Sequence, residues 1–119
     1  MPENPIKKQY DLEERTYQFA KEVAMLCKQL SRTVISIEYI KQVVRSSGSI
    51  GANYIEANES LSKKDFTMRI KICRKEAKET AYWLRLLLDT HGEHFQKEIS
   101  VLFQEATELK KIFSAILLK

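Results

Sequence analysis

Apolar residues along this chain return at steps of 3, 4 and 7, the spacing that lines one face of an α-helix. From Asp11 to about Ser31 they are Leu12, Phe19, Val23, Leu26 and Leu30, with Glu14, Gln18, Glu22 and Gln29 on other faces. A second stripe, from about Ile37 to Glu56, runs through Ile40, Val43 or Val44, Ser47, Ile50 or Gly51, and Tyr54. The third reads Phe66, Ile70, Cys73, Ala77, Thr80, Leu84 and Leu87, and the fourth Phe95, Ile99, Leu102, Ala106, Leu109, Phe113 and Ile116. The segments between are short: Arg32–Ser36, Asn58–Leu61, and the turn that follows His91-Gly92.

Four amphipathic helices with short connections predict an all-α fold, an up-down-up-down antiparallel four-helix bundle over residues 11–119. Sustained 3-4 spacing sets neighbouring axes roughly 20° from parallel. Ser62-Lys-Lys-Asp65 has the form of a capping box for the third helix, and Gly92 is expected to close it in the left-handed conformation. Residues 1–10, with Pro2 and Pro5, are expected to form a flexible lead-in.

The second helix carries SSGSIGAN at its centre, where each glycine costs up to about 1 kcal/mol relative to alanine. Either the helix breaks near Gly48–Gly51, or small residues let another helix come close. The apolar phase continues unbroken from Val43 to Tyr54, which favours close packing.

Composition narrows the class further. With 119 residues, 3 Gly and 2 Pro, the chain suits one helical domain and lacks the turn residues that an all-β fold needs. Cys27 and Cys73 are two isolated thiols, too few for a disulfide framework, and read as small core hydrophobes in a reducing cytosol. No segment approaches the ~20 apolar residues of a membrane span, and the first residues lack the apolar core of a signal peptide. A cytoplasmic location with no membrane contact is the expectation.

The net charge of +4 is unevenly placed. Residues 1–61 carry 8 Lys+Arg against 8 Asp+Glu, whereas residues 62–119 carry 12 against 8. Lys64, Lys71, Lys75, Lys78 and Arg85 follow steps of 7, 4, 3 and 7 and share one face of the third helix; Tyr82 falls there too, and Lys63 and Arg74 flank it. Five cations over about 31 Å, at about 1.5 Å per residue, match a phosphate backbone, and Tyr82 offers stacking to an unpaired base. RNA or DNA is therefore a candidate partner. The plainer reading is the solvated outer face of a bundle helix.

A polar stripe lies beside the seam. Arg45, Ser49, Asn53 and Glu56 share one side of the second helix, and Glu76, Glu79 and Trp83 one side of the third. Glu76 and Glu79 flank Ala77 and Thr80, so at least one approaches the core edge, where a carboxylate needs a partner; Arg45 is the natural one. Such a network fixes helix register or a subunit contact; the alternative is a carboxylate site. The di-metal pattern of helical bundles asks for Glu-x-x-His pairs. Here Glu79 follows Glu76, and the two histidines, His91 and His94, lie near the third loop. No metal, cofactor or catalytic set is expected, and the chain reads as a non-enzyme. Ile72, Trp83 and Leu86, with Val101 and Ile112 on the fourth helix, widen the apolar surface beyond one seam, which fits burial in a homo-oligomer or a deep core.

Three segments carry a resemblance: SSGSIGANYIEAN (46–58), SKKDF (62–66) and KEAKETAYWLRLL (75–87). Together they resemble the small bacterial four-helix-bundle proteins first described from reading frames in intervening sequences of 23S ribosomal RNA genes. The chain is similar also to the accessory variability determinant of diversity-generating retroelements. The likeness runs from about Asp11 to Leu118, and its specific part is the middle pair of helices. The family's Arg, Ser-Ile, Asn and Glu fall on Arg45, Ser49-Ile50, Asn53 and Glu56, and its acidic positions on Glu76 and Glu79, followed by Trp83-Leu84. Many members follow that Glu with Gly; Ala57 stands there in this chain, which places any left-handed turn at that point in question. The resemblance implies a four-helix bundle assembled as a ring-like homopentamer. The retroelement relatives bind nucleic acid through a basic surface and associate with a reverse transcriptase, so the resemblance implies an accessory factor with those partners. A protein-interaction scaffold without nucleic acid is the alternative.

Overall fold

The computed structural model describes the backbone of residues 5–119 and the side chains of residues 11–119. Every regular element among them is a helix: α1 (Pro5–Cys27), α2 (Val34–Asn58), α3 (Lys63–His91) and α4 (Gln96–Leu117). Each helix packs against its neighbours in sequence, α1 on α2, α2 on α3 and α3 on α4, and a shorter α1–α4 contact closes the ring. That is the neighbour pattern of an up-down-up-down bundle.

The seam positions form the core. Phe19 and Val23 from α1, Val43 and Ile50 from α2, Ile70, Cys73, Ala77, Leu84 and Leu87 from α3, and Ile99, Ala106, Leu109 and Phe113 from α4 are all buried. The two ambiguous pairs resolve to Val43 and Ile50, with Val44 left exposed. Tyr54 leans on Phe113 across the core, ring centres 6.0 Å apart.

Helix ends depart from the sequence expectation where side-chain capping decides them. α1 starts at Pro5, within the stretch expected to be a lead-in; proline suits a first turn because its missing N–H has no intrahelical partner to lose. Residues 1–4 lie outside the described residues. α1 stops at Cys27, and the Arg32 guanidinium donates to the Cys27 and Leu30 carbonyls at 2.9 and 2.8 Å. α2 begins at Val34 because Thr33 and Ser36 cap each other: the Ser36 N–H donates to Thr33 Oγ1, and the Thr33 N–H to Ser36 Oγ. At α3 only the Ser62 half of the expected box forms, with the Asp65 N–H donating to Ser62 Oγ.

The glycines divide three ways. α2 runs through Gly48–Gly51 without a break. A Cβ at Gly51 would stand 3.0 Å from Thr16 Oγ1, so here α1 approaches closely, whereas one at Gly48 would meet nothing. Gly92 ends α3 at φ −85°, ψ 0°, so the expected left-handed cap does not form. It is glycine because a Cβ there would collide with the Leu88 carbonyl.

Candidate nucleic-acid interface and the polar seam behind it

The α2–α3 contact carries a polar strip along one edge. Arg45 reaches across from α2 with both terminal nitrogens: one donates to Glu76 Oε2 at 3.0 Å, the other to Glu79 Oε2 at 3.1 Å. Glu76 is only 5% exposed, while Arg45 remains more than half in solvent. A carboxylate held that deep needs such a partner, because an unpaired buried charge is costly. Beneath it Thr80 Oγ1 donates to Ser46 Oγ at 2.8 Å or to the Glu76 carbonyl at 2.7 Å. Toward the other end, Asn53 Nδ2 donates to the Ser49 carbonyl and hydroxyl, and Arg69 of α3 donates to Asn53 Oδ1 at 3.0 Å. No buried side-chain nitrogen or oxygen among the described residues lacks a partner.

Arg45, Ser49, Asn53, Glu76 and Glu79 thus share one edge of the α2–α3 contact, tied by hydrogen bonds in two groups. Glu56 stays apart: its side chain is exposed, and only its carbonyl is used, by Ser60 and Glu59. Trp83 stands beside the strip as a half-buried ring packed on the core, 5.9 Å from Tyr39 and 5.1 Å from Tyr82.

The side of α3 turned away from the core carries the cations. Lys63, Lys64, Lys71, Lys75, Lys78 and Arg85 are exposed, Arg74 is half-buried, and Tyr82 is 58% exposed. Among the described residues, none of these bases has a carboxylate oxygen within 4.0 Å. Of the three acids between 63 and 85, Glu76 and Glu79 are held by Arg45 and Asp65 sits in the first turn at the helix start. Glu76 is thus taken into the seam and Glu79 is tied to its half-exposed edge, and neither falls on the cationic line. Asp89, one turn past Arg85, ends the line.

The buried thiols offer no reactive group at neutral pH. Burial pushes Cys27 up to about 11 and Cys73 up to about 12. Among the described residues no three His, Cys, Asp or Glu side chains converge as metal ligands would, and no helix is long and apolar enough to cross a membrane. A shallow groove of ≈ 450 Å³ opens between α1 and α4, remote from the cationic line and bridged by Arg15, which pairs with Glu105 at 2.7 Å.

The sequence profile of the 23S rRNA-intervening sequence proteins matches residues 8–115. The chain belongs to that family. It is also similar to a crystal structure at 1.70 Å resolution of a protein of unknown function from the S23 ribosomal protein family of Bacteroides thetaiotaomicron VPI-5482. The two share 33% identity over 90% of this chain and 98% of that one, with a TM-score of 0.77. Among curated proteins none matches the sequence.

Within the family's signature, α2 continues through Ala57 to Asn58 and no residue there turns left-handed. Ala57 is buried, so this position packs. Sequence reasoning missed Ser46, Thr80 as a donor to it, and Arg69. Ser46 and Thr80 look like ordinary small seam residues, and only the helix pairing shows that their hydroxyls meet. Arg69 lies off the cationic line and toward α2, a displacement that its position one residue before Ile70 could have flagged.

Proposed function

We propose that this protein is a non-enzymatic, self-associating accessory factor that binds RNA or DNA without sequence preference through the outward face of α3. The observation that carries the reading is the unneutralised row Lys64, Lys71, Lys75, Lys78 and Arg85, flanked by Lys63 and Arg74. A solvated bundle face ordinarily interleaves both signs. Here Glu76 and Glu79 lie off that row, at the seam, and the row is a single-sign line suited to phosphates. Phosphate contacts carry no sequence information, so binding through this row is without sequence preference.

Self-association draws support from α2. Ile37, Val44 and Ile55 are exposed along one line of that helix, and Gly48 lies open between them. A glycine that nothing inside the chain requires, on an exposed helix, fits a surface covered by another subunit. A ring of copies would multiply a weak phosphate contact through avidity.

The test is a triple charge reversal, Lys71→Glu with Lys75→Glu and Lys78→Glu, compared with wild type for binding to labelled structured RNA and duplex DNA. The reading expects loss of binding with helix content unchanged. A reversed protein that binds both ligands as well as wild type would overturn it, and a scaffold role would take its place.

A further inference from the structure

We infer that the α3 face selects unpaired nucleotides over duplex, with Tyr82 as the stacking platform; the inference rests on reading α3 as a nucleic-acid surface. Tyr82 lies on the cationic line, four residues after Lys78 and three before Arg85, so both cations share its face. At about 1.5 Å of rise per residue they flank it by about 6 and 4.5 Å along the axis. A base resting on this ring has a cation on either side for its neighbouring phosphates.

The ring is held in place. It meets Trp83 nearly edge-to-face, with centres 5.1 Å apart and planes at 79°. Trp83 packs on the core and lies 5.9 Å from Tyr39 of α2, tilted at 41°. An edge-to-face contact occupies at most one face of the tyrosine, and the ring is 58% exposed, so a face is open to a ligand. Because Trp83 already restricts the ring, stacking costs less side-chain entropy than on a free aromatic.

Charge alone would set the opposite preference. Duplex DNA presents one phosphate per roughly 1.7 Å of axis against roughly 3.4 Å for one strand, so a purely cationic row favours duplex. A paired base keeps its faces inside the stack, out of reach of a convex helix surface. Tyr82 adds binding only where bases are unpaired, and base–aromatic stacking is sequence-tolerant.

The experiment measures anisotropy with a labelled homopyrimidine single strand and a duplex of matched length, at one low salt concentration, for wild type, Tyr82→Ala and Tyr82→Phe. Trp83, the sole tryptophan, reports on the same site by its fluorescence. Wild type is expected to bind the single strand more tightly and to change Trp83 emission on doing so. Tyr82→Ala should weaken single-strand binding by roughly 5- to 150-fold per stacked base and move duplex binding by less than about twofold. Tyr82→Phe, which keeps the ring, should retain the single-strand affinity. Equal effects of Tyr82→Ala on both ligands, or tighter wild-type binding to duplex, would overturn the single-strand inference and leave the phosphate surface standing. Absence of binding to either ligand would overturn both.

Discussion

At the scale of single residues, Arg45 decides how α3 presents its charge. One guanidinium satisfies a buried carboxylate and a half-exposed one, which the planar fork of arginine does and a lysine ammonium does less well. Arg45→Ala leaves Glu76 in a nearly dry site with no cation. A fully buried pair broken in this way costs several kcal/mol; because Arg45 is more than half exposed, water lowers the figure to about 1–2 kcal/mol. Glu79→Ala, at the exposed end, is expected to cost no more than about 0.5 kcal/mol. Urea melts of the two variants check this, and equal losses would show that Glu76 does not depend on Arg45. The pairing of Arg45 with Glu76 was legible from spacing, because both lie beside an apolar seam and carry opposite charge. The Arg69–Asn53 bond was not, since it depends on how far the two helices are rotated toward each other.

At the scale of the element, periodicity carried nearly everything except the ends. The α3 and α4 seams match the buried set, because period 3.6 and burial are one geometric fact, except near the helix ends, where Phe66, Phe95 and Ile116 are only half-buried, and at Glu76, which is buried beside the seam. The start of α2 was hidden because its box uses Ser36 where Glu or Gln is the usual sign. Gly92 was misread because a turn glycine usually means positive φ, and here it means a close carbonyl. The two α2 glycines separate sharply. Gly48→Ala enters open space and should stabilise an isolated subunit by about 0.5–1 kcal/mol. Gly51→Ala presses on Thr16 Oγ1, itself held by the Leu12 and Glu13 carbonyls, and is expected to lose about 1 kcal/mol after the gain in helix propensity. Thermal melts with opposite signs would bear this out; two gains would show that α1 yields at that contact.

At the scale of the whole molecule, seam and surface act together: the α2–α3 contact holds two acids at its edge, and the outward face of α3 is a run of cations. The bundle architecture was legible in full, and so were the residues of the cationic row, because exposure follows from helical phase. What the row does was not, since a phosphate surface and a solvated face share one pattern in sequence. Self-association belongs to this scale as well. A 13.9 kDa subunit forming a five-membered ring would weigh about 70 kDa by light scattering. A mass of one subunit at micromolar concentration would remove avidity from the account and leave the exposed stripe of α2 unexplained.

The outward face of α3 is proposed as a phosphate-binding surface. Its most direct test is the salt dependence of affinity, measured by anisotropy on protein of known mass with structured RNA and duplex DNA. Micromolar or tighter binding is expected at low salt, with a steep linear fall of log K with log salt. The slope should correspond to several phosphates, and it should flatten when Lys71, Lys75 and Lys78 become glutamate. No binding of either ligand at low salt, or a slope that the reversed protein shares, would contradict it.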